Sequence, residues 1–211
     1  MKIVILGPGR IGSTLASFLA QAGHEVMLSA FRDEGNAERL AEALGARLGS
    51  LEEAKSFGQV FFLAVPHGVA EETVQSLIGA RGVLVDCTNQ FGGTAPGGAH
   101  STSEYIASLV PDLMTVKAFN TLRYDDLRAR ANADTPIAMV YASDSAAADG
   151  IVQTLIRDCG YAPLNLGPLA NGILQEPGGP FFLEVLEIDA ALRMANDIEA
   201  TAGYMPAIPP E

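Results

Sequence analysis

The stretch IVILGPGRIG, residues 3–12, decides the fold because it joins a short apolar run directly to a glycine-rich turn. The run at 3–6 is typical of a buried parallel strand, both faces of which are covered by helices. Beyond the turn, apolar residues recur with helical spacing from Ile11 to Ala22, and Gly23 is placed to end that helix. The order of strand, G-x-G-x-x-G turn and helix is the context in which a dinucleotide binds, with its pyrophosphate at the helix N-terminus.

Each glycine of the turn has its own physical role. Gly7 permits the tight turn, Gly9 lets the backbone approach a pyrophosphate without a Cβ, and Gly12 lets the helix pack close to the strand. The alternative is a glycine turn that serves packing alone. We predict a dinucleotide site with contacts from the whole turn, that is from Gly7, Pro8, Gly9, Arg10, Ile11 and Gly12.

The rest of the chain alternates strand and helix signals. Ser50 with Glu53, and Ser101 with Glu104, are spaced as capping boxes that begin helices. Further apolar runs lie at 26–28, 60–65, 83–85, 114–119, 137–142 and 162–166, and a helix is predicted at 145–159. This alternation predicts an α/β fold with a doubly wound parallel sheet, the Rossmann fold, over residues 1–166. Residues 167–211 are left as a short helical C-terminal appendage.

Composition excludes several classes of function. The 211 residues are 48% apolar and 18% charged, which suits a packed core and not a disordered chain. The net charge of −12 argues against nucleic acid or an anionic membrane as a partner, because sequence-independent binding to either needs basic surface. Backbone amides can still bind a phosphate.

Two cysteines and three scattered histidines predict no disulfide framework and no metal site. The apolar run at the N-terminus is too short for a signal peptide, and no later run is long enough for a membrane helix. We therefore expect a cytoplasmic protein that does not enter a membrane.

The end of the second strand indicates which dinucleotide binds. A carboxylate about 20 residues after the glycines would accept hydrogen bonds from the ribose 2′-hydroxyl of NAD. This chain instead reads LSAFR at 28–32, where Arg32 is placed to pair with a 2′-phosphate beside the small Ser29. The alternative is that Arg32 is a solvated surface residue and that Asp33 begins the next turn. The pattern favours NADP.

Candidate residues for the nicotinamide half follow two other strands. The apolar run at 60–65 ends in Val65 and is followed by Pro66 and His67. His67 could donate a proton or a hydrogen bond to substrate. It could equally start a helix and face solvent. Thr88 and Asn89 end the next strand and are predicted to contact substrate or the nicotinamide amide. The neighbouring Cys87 is interpreted as a small buried side chain and not as a nucleophile.

The strand at 114–119 carries a lysine and ends in Asn-Thr, unlike a purely apolar core strand. Lys117 could pair with Asp86 or another carboxylate as a buried structural pair. Alternatively, Asn120 could present its amide to the reacting ring, and we assign it as a candidate catalytic residue together with His67. The glycine-rich stretch 90–101, which has no apolar periodicity, is interpreted as a loop that covers the site.

These motifs together resemble a known family. They are GPGRIG at 7–12, SAFR at 29–32, VP at 65–66, DCTN at 86–89, VKAFNT at 116–121 and LGPL at 166–169. Their order and spacing are similar to those of the coenzyme F420-dependent NADP oxidoreductases, and related domains occur in the STEAP-type metalloreductases. The resemblance implies hydride transfer between NADPH and a flavin-like ring, with F420 or a flavin as second substrate.

The chain departs from the family pattern after Leu169, where a Gly-Gly-Pro sequence at 178–180 must break a helix. A second helix is predicted from Phe181 to Leu192. We expect the appendage to complete the pocket for a small-molecule acceptor or the interface of a homodimer. Two other functions stay open, an imine or carbonyl reductase of the pyrroline-5-carboxylate reductase type and a non-catalytic NADP-sensing protein.

Overall fold

The computed structural model describes residues 1–30 and 33–202, in which eight strands form one sheet with helices on both faces. The strands are β1 Lys2–Leu6, β2 Glu25–Ser29, β3 Arg47–Leu48, β4 Val60–Leu63, β5 Gly82–Asp86, β6 Leu113–Ala118, β7 Ala138–Ser143 and β8 Ala162–Asn165. The helices are α1 Arg10–Gln21, α2 Glu34–Leu44, α3 Leu51–Phe57, α4 Ala70–Gln75, α5 Thr102–Leu109, α6 Tyr124–Ala129, α7 Ala146–Asp158 and α8 Ile188–Ala202. Short 3-10 segments lie at His67–Val69, Pro96–Gly98 and Leu169–Gln175.

The strand order is β3-β2-β1-β4-β5-β6-β7-β8, and the predicted Rossmann fold is confirmed. The first six strands follow the order of dinucleotide-binding folds, which changes direction between β1 and β4. All neighbouring strands run parallel except β6 and β7, which pair antiparallel. In a sheet of this order, ligands bind beyond the carboxyl ends of the strands, at the point between β1 and β4.

Both faces of the central strands are buried because side chains alternate along each strand. In β1, Ile3 and Ile5 join the apolar cluster on one face, whereas Val4 and Leu6 join the cluster on the other. This two-sided burial explains the continuous apolar run that the sequence shows at 3–6. The helix starts predicted from capping boxes at Ser50 and Ser101 are also confirmed, since both boxes form.

The C-terminal segment packs on the far end of the sheet. Phe181 from this segment, together with Ala191 and Ala195 of α8, is buried in a cluster with β7 and β8. The prediction of a helix from Phe181 is wrong, because α8 begins only at Ile188.

The backbone directly before α8 bonds to the start of β7. The Leu186 carbonyl accepts a hydrogen bond from the N–H of Ala138 at 2.8 Å, and Ile137 forms an antiparallel bridge with Glu187. Leu183 has a φ of +62°, outside the helical region. Pairing with the start of β7 therefore replaces the first turns of the predicted helix.

Candidate active site

The glycine turn connects β1 to α1 at the point between β1 and β4 where the order of the strands in the sheet reverses. Gly7 has a φ of +87°, and its N–H donates to the Ser29 carbonyl at 2.9 Å. A Cβ at Gly7 would lie 2.7 Å from Cγ1 of Val65, and a Cβ at Gly12 would lie 3.0 Å from Cγ2 of Ile5. These two glycines are therefore required by the packing of the turn against β1 and β4.

Gly9 differs from the other two because a Cβ there would meet nothing within 4 Å. Gly9 is the N-cap of α1, which has neither a capping side chain nor an acidic residue in its first turn. The N–H of Ser13 donates to the Gly9 carbonyl at 2.8 Å, so the amides of residues 10–12 precede the first hydrogen bond within the helix. This open space beside unopposed amides suits a pyrophosphate.

Two cavities meet at the turn. The first, of about 440 Å³, is lined by Pro8, Ala30 and residues of α2 and α4. The second, of about 560 Å³, is lined by Arg10, Ile11 and the ends of β4 and β5. Gly9 and residues 64–66, which include Val65 and Pro66, line both cavities. The two cavities therefore form one groove across the helix N-terminus, with one cavity on each side of Gly9.

The end of β2 borders the first cavity. Ser29 is fully buried, and its Oγ has no hydrogen-bond partner among the described residues. Asp33 caps α2, since its Oδ1 accepts from the N–H of Asn36 at 2.9 Å. Arg32, predicted to pair with a 2′-phosphate, lies outside the described residues, so that role stays a prediction.

His67 begins the 3-10 turn after β4 and is half-buried, and it lines the second cavity. Its Nδ1 is buried and has no hydrogen-bond partner among the described residues. The residue therefore both starts a short helix and borders the cavity, which combines the two alternatives that the sequence left open. A ligand in the cavity could approach the imidazole.

Thr88 and Asn89 also line the second cavity, but their polar groups are held by the protein. The N–H and Oγ1 of Thr88 both donate to Oδ1 of Asp86, at 2.9 and 2.8 Å. Nδ2 of Asn89 donates to the carbonyl of Asn120, whose Nδ2 donates back to Oδ1 of Asn89, both at 2.9 Å. These bonds fix the ends of β5 and β6 relative to each other.

Asn120 is buried and lies behind the groove, outside the residues that line the two cavities. Its Nδ2 also donates to the Gln175 carbonyl at 2.6 Å, whereas its Oδ1 has no partner among the described residues. Only that oxygen is free for a ligand. The catalytic role predicted for Asn120 stays a prediction.

A buried lysine ties the end of β5 to two other segments. Nζ of Lys117 donates to the Thr88 carbonyl at 2.6 Å and lies 3.1 Å from Oδ2 of Asp86 and 3.8 Å from Oε1 of Glu176. The same Glu176 oxygen accepts from the N–H of Thr102, at the start of α5, at 2.9 Å. The predicted pair of Lys117 with Asp86 is confirmed, whereas the part played by Glu176 was missed by the sequence analysis.

The charge state of Asp86 follows from these contacts. Burial alone raises the pKa of the carboxyl group, but Lys117 and the hydrogen bonds from Ser103 and Thr88 outweigh it, so the pKa of Asp86 lies below its usual value. The pKa of the adjacent Cys87 is raised, first by burial and then by the Asp86 charge. Cys87 borders the second cavity as a neutral thiol, in agreement with its predicted lack of nucleophilic character.

The sequence analysis missed two aromatic residues as parts of the site, Phe91 at the second cavity and Phe182 beside it. Phe91 lines the cavity and is 77% exposed. Its ring lies 6.1 Å from the ring of Phe182, at an interplanar angle of 71°. The available signal was a single large aromatic residue in a stretch otherwise rich in glycine, next to the end of β5.

The glycine turn and the groove match a described family. Residues 2–90 match the family model of the NADP oxidoreductases, coenzyme F420-dependent. Over these residues, less than half of the chain, the sequence is similar to that family. The metalloreductase STEAP3 of Rattus norvegicus is 31% identical over 175 residues, which make up 81% of this chain and 34% of STEAP3. The chain thus spans about a third of the length of that relative.

Solved structures share the fold over most of the chain. A hypothetical protein of Sinorhizobium meliloti is 28% identical with a TM-score of 0.77, over 89% of this chain and 95% of that one. A protein of Arthrobacter sp. FB24, named as an F420-dependent NADP reductase, is 21% identical with a TM-score of 0.68, over 95% and 92%. A reductive aminase of Aspergillus terreus, solved with NADPH, is 18% identical with a TM-score of 0.61, over 96% and 62%.

In the described part of the chain, none of the helices has the length and apolar character needed to cross a membrane. Within residues 1–30 and 33–202 there is also no group of three or more His, Cys, Asp or Glu side chains placed to hold a metal ion.

Proposed function

We propose that this chain, whose residues 2–90 match the model of the coenzyme F420-dependent NADP oxidoreductases, binds NADP(H) in the groove and transfers hydride between NADPH and a flavin-like acceptor such as F420. The observation that carries the proposal is the pair of cavities that meet at Gly9 beside the open N-terminus of α1. The first cavity would hold the adenosine half of the cofactor. The second would hold the nicotinamide half and the acceptor.

The preference for NADP rests on the end of β2. No carboxylate stands at the end of β2 itself, which closes on Ser29, and the later Asp33 caps α2 through Oδ1. We assign Arg32 as the partner of the 2′-phosphate, with Ser29 leaving room beside it. A guanidinium suits this role because it binds phosphate oxygens through two N–H groups at once.

Hydride transfer needs little acid–base chemistry from the protein, because the nicotinamide supplies the hydride when the cofactor is bound. The chain must orient the two rings and exclude water. Val65 and Pro66 would pack against the nicotinamide half, and Thr88 and Asn89 would border it. Reduction of a flavin-like ring also takes up one proton, and we assign the imidazole of His67 as the group that donates this proton or a hydrogen bond.

A second candidate function is reduction of an imine or carbonyl. The likeness to a reductive aminase solved with NADPH favours keeping it, although at 18% identity that likeness extends to the fold alone. A protein that binds NADPH as a sensor, without chemistry, is the third candidate.

One experiment separates the three. The purified chain is mixed with NADPH and, in separate reactions, with F420, FMN, FAD or a cyclic imine, and the loss of NADPH absorbance is followed. Turnover with F420 or a flavin is expected. Turnover with the imine alone would support the second candidate, and NADPH binding without any turnover would support a sensor. Gly9→Ala serves as a control, since it should slow every NADPH-dependent reaction.

A homodimer is expected as well, because the appendage is short for a complete acceptor pocket. Light scattering coupled to gel filtration would show a mass near twice that of the chain. A monomeric mass would refute the dimer without bearing on NADPH binding.

A further inference from the structure

Phe91 is exposed at the rim of the second cavity, although nothing in the fold requires it there. Burying a Phe side chain stabilises a folded protein, yet Phe91 is 77% exposed. Isolated exposed apolar residues are common on protein surfaces. What sets Phe91 apart is that it lines a cavity next to His67, Thr88 and Asn89.

The loop holds Phe91 in place through its neighbour. Nε2 of Gln90 donates to the carbonyls of Gly92 and Thr94, at 3.1 and 3.2 Å, and Oε1 of Gln90 accepts from Oγ1 of Thr102 at 3.3 Å. One side chain thus links both sides of Phe91 to the start of α5. The aromatic ring is presented from a loop with defined hydrogen bonds.

Phe182 supports the same ring from the C-terminal segment. The next residue, Leu183, adopts a left-handed φ of +62°, a conformation that is strained for a non-glycine residue. The N–H of Leu183 donates to the Thr121 carbonyl at 2.8 Å, which ties this turn to the end of β6. The strained turn places Phe182 edge-on to Phe91, a favoured aromatic arrangement.

We propose that Phe91, supported by Phe182, is the stacking surface for a planar aromatic hydride acceptor in the second cavity. The exposed ring of Phe91 offers a face to a flat conjugated ring, and aromatic rings bind such ligands by stacking. This inference rests on the proposed hydride transfer and assigns its acceptor site. It also assigns a function to the C-terminal segment, which supports the ring of Phe91 through Phe182.

The test compares Phe91→Ala, Phe91→Leu, Phe91→Tyr and Phe182→Ala with the unaltered chain. Ile78→Ala is the matched control, because Ile78 is 61% exposed and lies outside the two cavities of the groove. Each variant is measured for NADPH affinity, for acceptor KM and kcat with F420 or FMN, and for binding of the oxidised acceptor beside NADP⁺ by the acceptor's own fluorescence.

Phe91→Ala and Phe91→Leu should each raise the acceptor KM and weaken acceptor binding about tenfold, which corresponds to the loss of one stacking contact. Phe91→Tyr should restore both, because it restores the ring. Phe182→Ala should have a smaller effect in the same direction. NADPH affinity should stay within about twofold in every variant, since a tenfold change would require about 1.4 kcal/mol of lost contact. The control Ile78→Ala should resemble the unaltered chain in every measurement.

Failure of this inference differs from failure of the proposed function. If the unaltered chain neither turns over nor binds any flavin-like acceptor, both are overturned. If it turns over but Phe91→Ala and Phe91→Leu leave the acceptor KM unchanged, the inference alone is overturned. A change of oligomeric state in Phe91→Ala at unchanged KM would also overturn it and would identify Phe91 as part of a subunit contact.

Discussion

Replacing Lys117 by methionine should destabilise the protein severely. Nζ of Lys117 lies 3.1 Å from Oδ2 of Asp86 and donates to the Thr88 carbonyl at 2.6 Å, and both charged side chains are fully buried. Removing one partner of a buried ion pair leaves the other charge unpaired and typically costs about 3–5 kcal/mol. Because small domains are stable by only about 5–15 kcal/mol, this single change could remove much of the free energy of unfolding.

The partner variant shows how much of that loss comes from the unpaired charge. Asp86→Asn removes the negative charge but keeps an oxygen that can accept from Thr88. In the double variant, Lys117→Met with Asp86→Asn, position 86 no longer carries an unpaired charge, although Glu176 still loses its longer 3.8 Å contact with Lys117. Its loss of stability should therefore be smaller than the sum of the two single losses, by about 1–3 kcal/mol, as for contacting residues in one network.

Urea unfolding followed by circular dichroism measures these differences. A loss below about 1 kcal/mol for Lys117→Met, the size expected of an exposed ion pair, would refute the reasoning. Strict additivity in the double variant would refute the pairing even if the single variants were unstable. Thermal unfolding with and without NADPH should show in addition whether the weakened β5 end also binds the cofactor less tightly.

Acid should weaken the same network. The pKa of Asp86 is lowered in the folded chain, so its contribution to stability is complete above the pKa of the unfolded carboxyl group, about 3.9. That contribution is lost as the pH falls from there through the lower folded pKa. As the pH falls from about 5 to about 2, Asp86→Asn should therefore lose less stability than the unaltered chain does. Equal acid sensitivity of the two chains would contradict the assignment.

Three further predictions follow from the groove. Gly9→Ala should leave the unfolding free energy within about 1 kcal/mol of the unaltered chain, because the new Cβ meets open space, yet it should weaken NADPH binding measured by fluorescence. Gly12→Ala should instead destabilise the fold itself, because its Cβ would clash with the turn and with β1. If both variants kept full NADPH affinity, the pyrophosphate would not bind at this turn. Arg32→Ala should weaken NADP binding more than NAD binding in a titration, and an equal loss for both would contradict its contact with the 2′-phosphate. Cys87 should resist iodoacetamide at neutral pH and react after denaturation, as judged by mass spectrometry, because its pKa is raised; rapid native alkylation would show an accessible thiolate.

The sequence predicts the parts of this fold that depend on local pattern. Strands buried on both faces give unbroken apolar runs, and helices such as α3 and α5 begin at capping boxes whose spacing is visible in the chain. Helix α2 was missed because it is largely polar, with only Ala37 and Ala41 buried. The direction of β7 was missed because periodicity reports burial and carries no information on strand polarity.

The site divides in the same way. The glycine turn predicted to bind the cofactor is one continuous motif, so spacing was enough to predict its position and its strand–turn–helix context. The acceptor half depends on contacts between distant positions, such as the pair of Phe91 with Phe182, and no local pattern encodes these. The residues after Leu183 illustrate the same limit, since their apolar spacing suits a helix but hydrogen bonds to β7 replace it.

The C-terminal segment contacts β6 and the start of α5, on the acceptor side of the site. Gly172 packs so closely that a Cβ there would lie 3.2 Å from Oγ of Ser101 and 3.5 Å from Cγ of Lys117. Glu176 contacts the start of α5, and the Gln175 carbonyl accepts from Asn120. This is also where the sequence departs from the pattern of the family it resembles. The glycine turn makes no use of this segment. Changes in the segment can therefore alter the acceptor site while NADPH binding is preserved, so acceptor preference can differ between proteins that share residues 2–90.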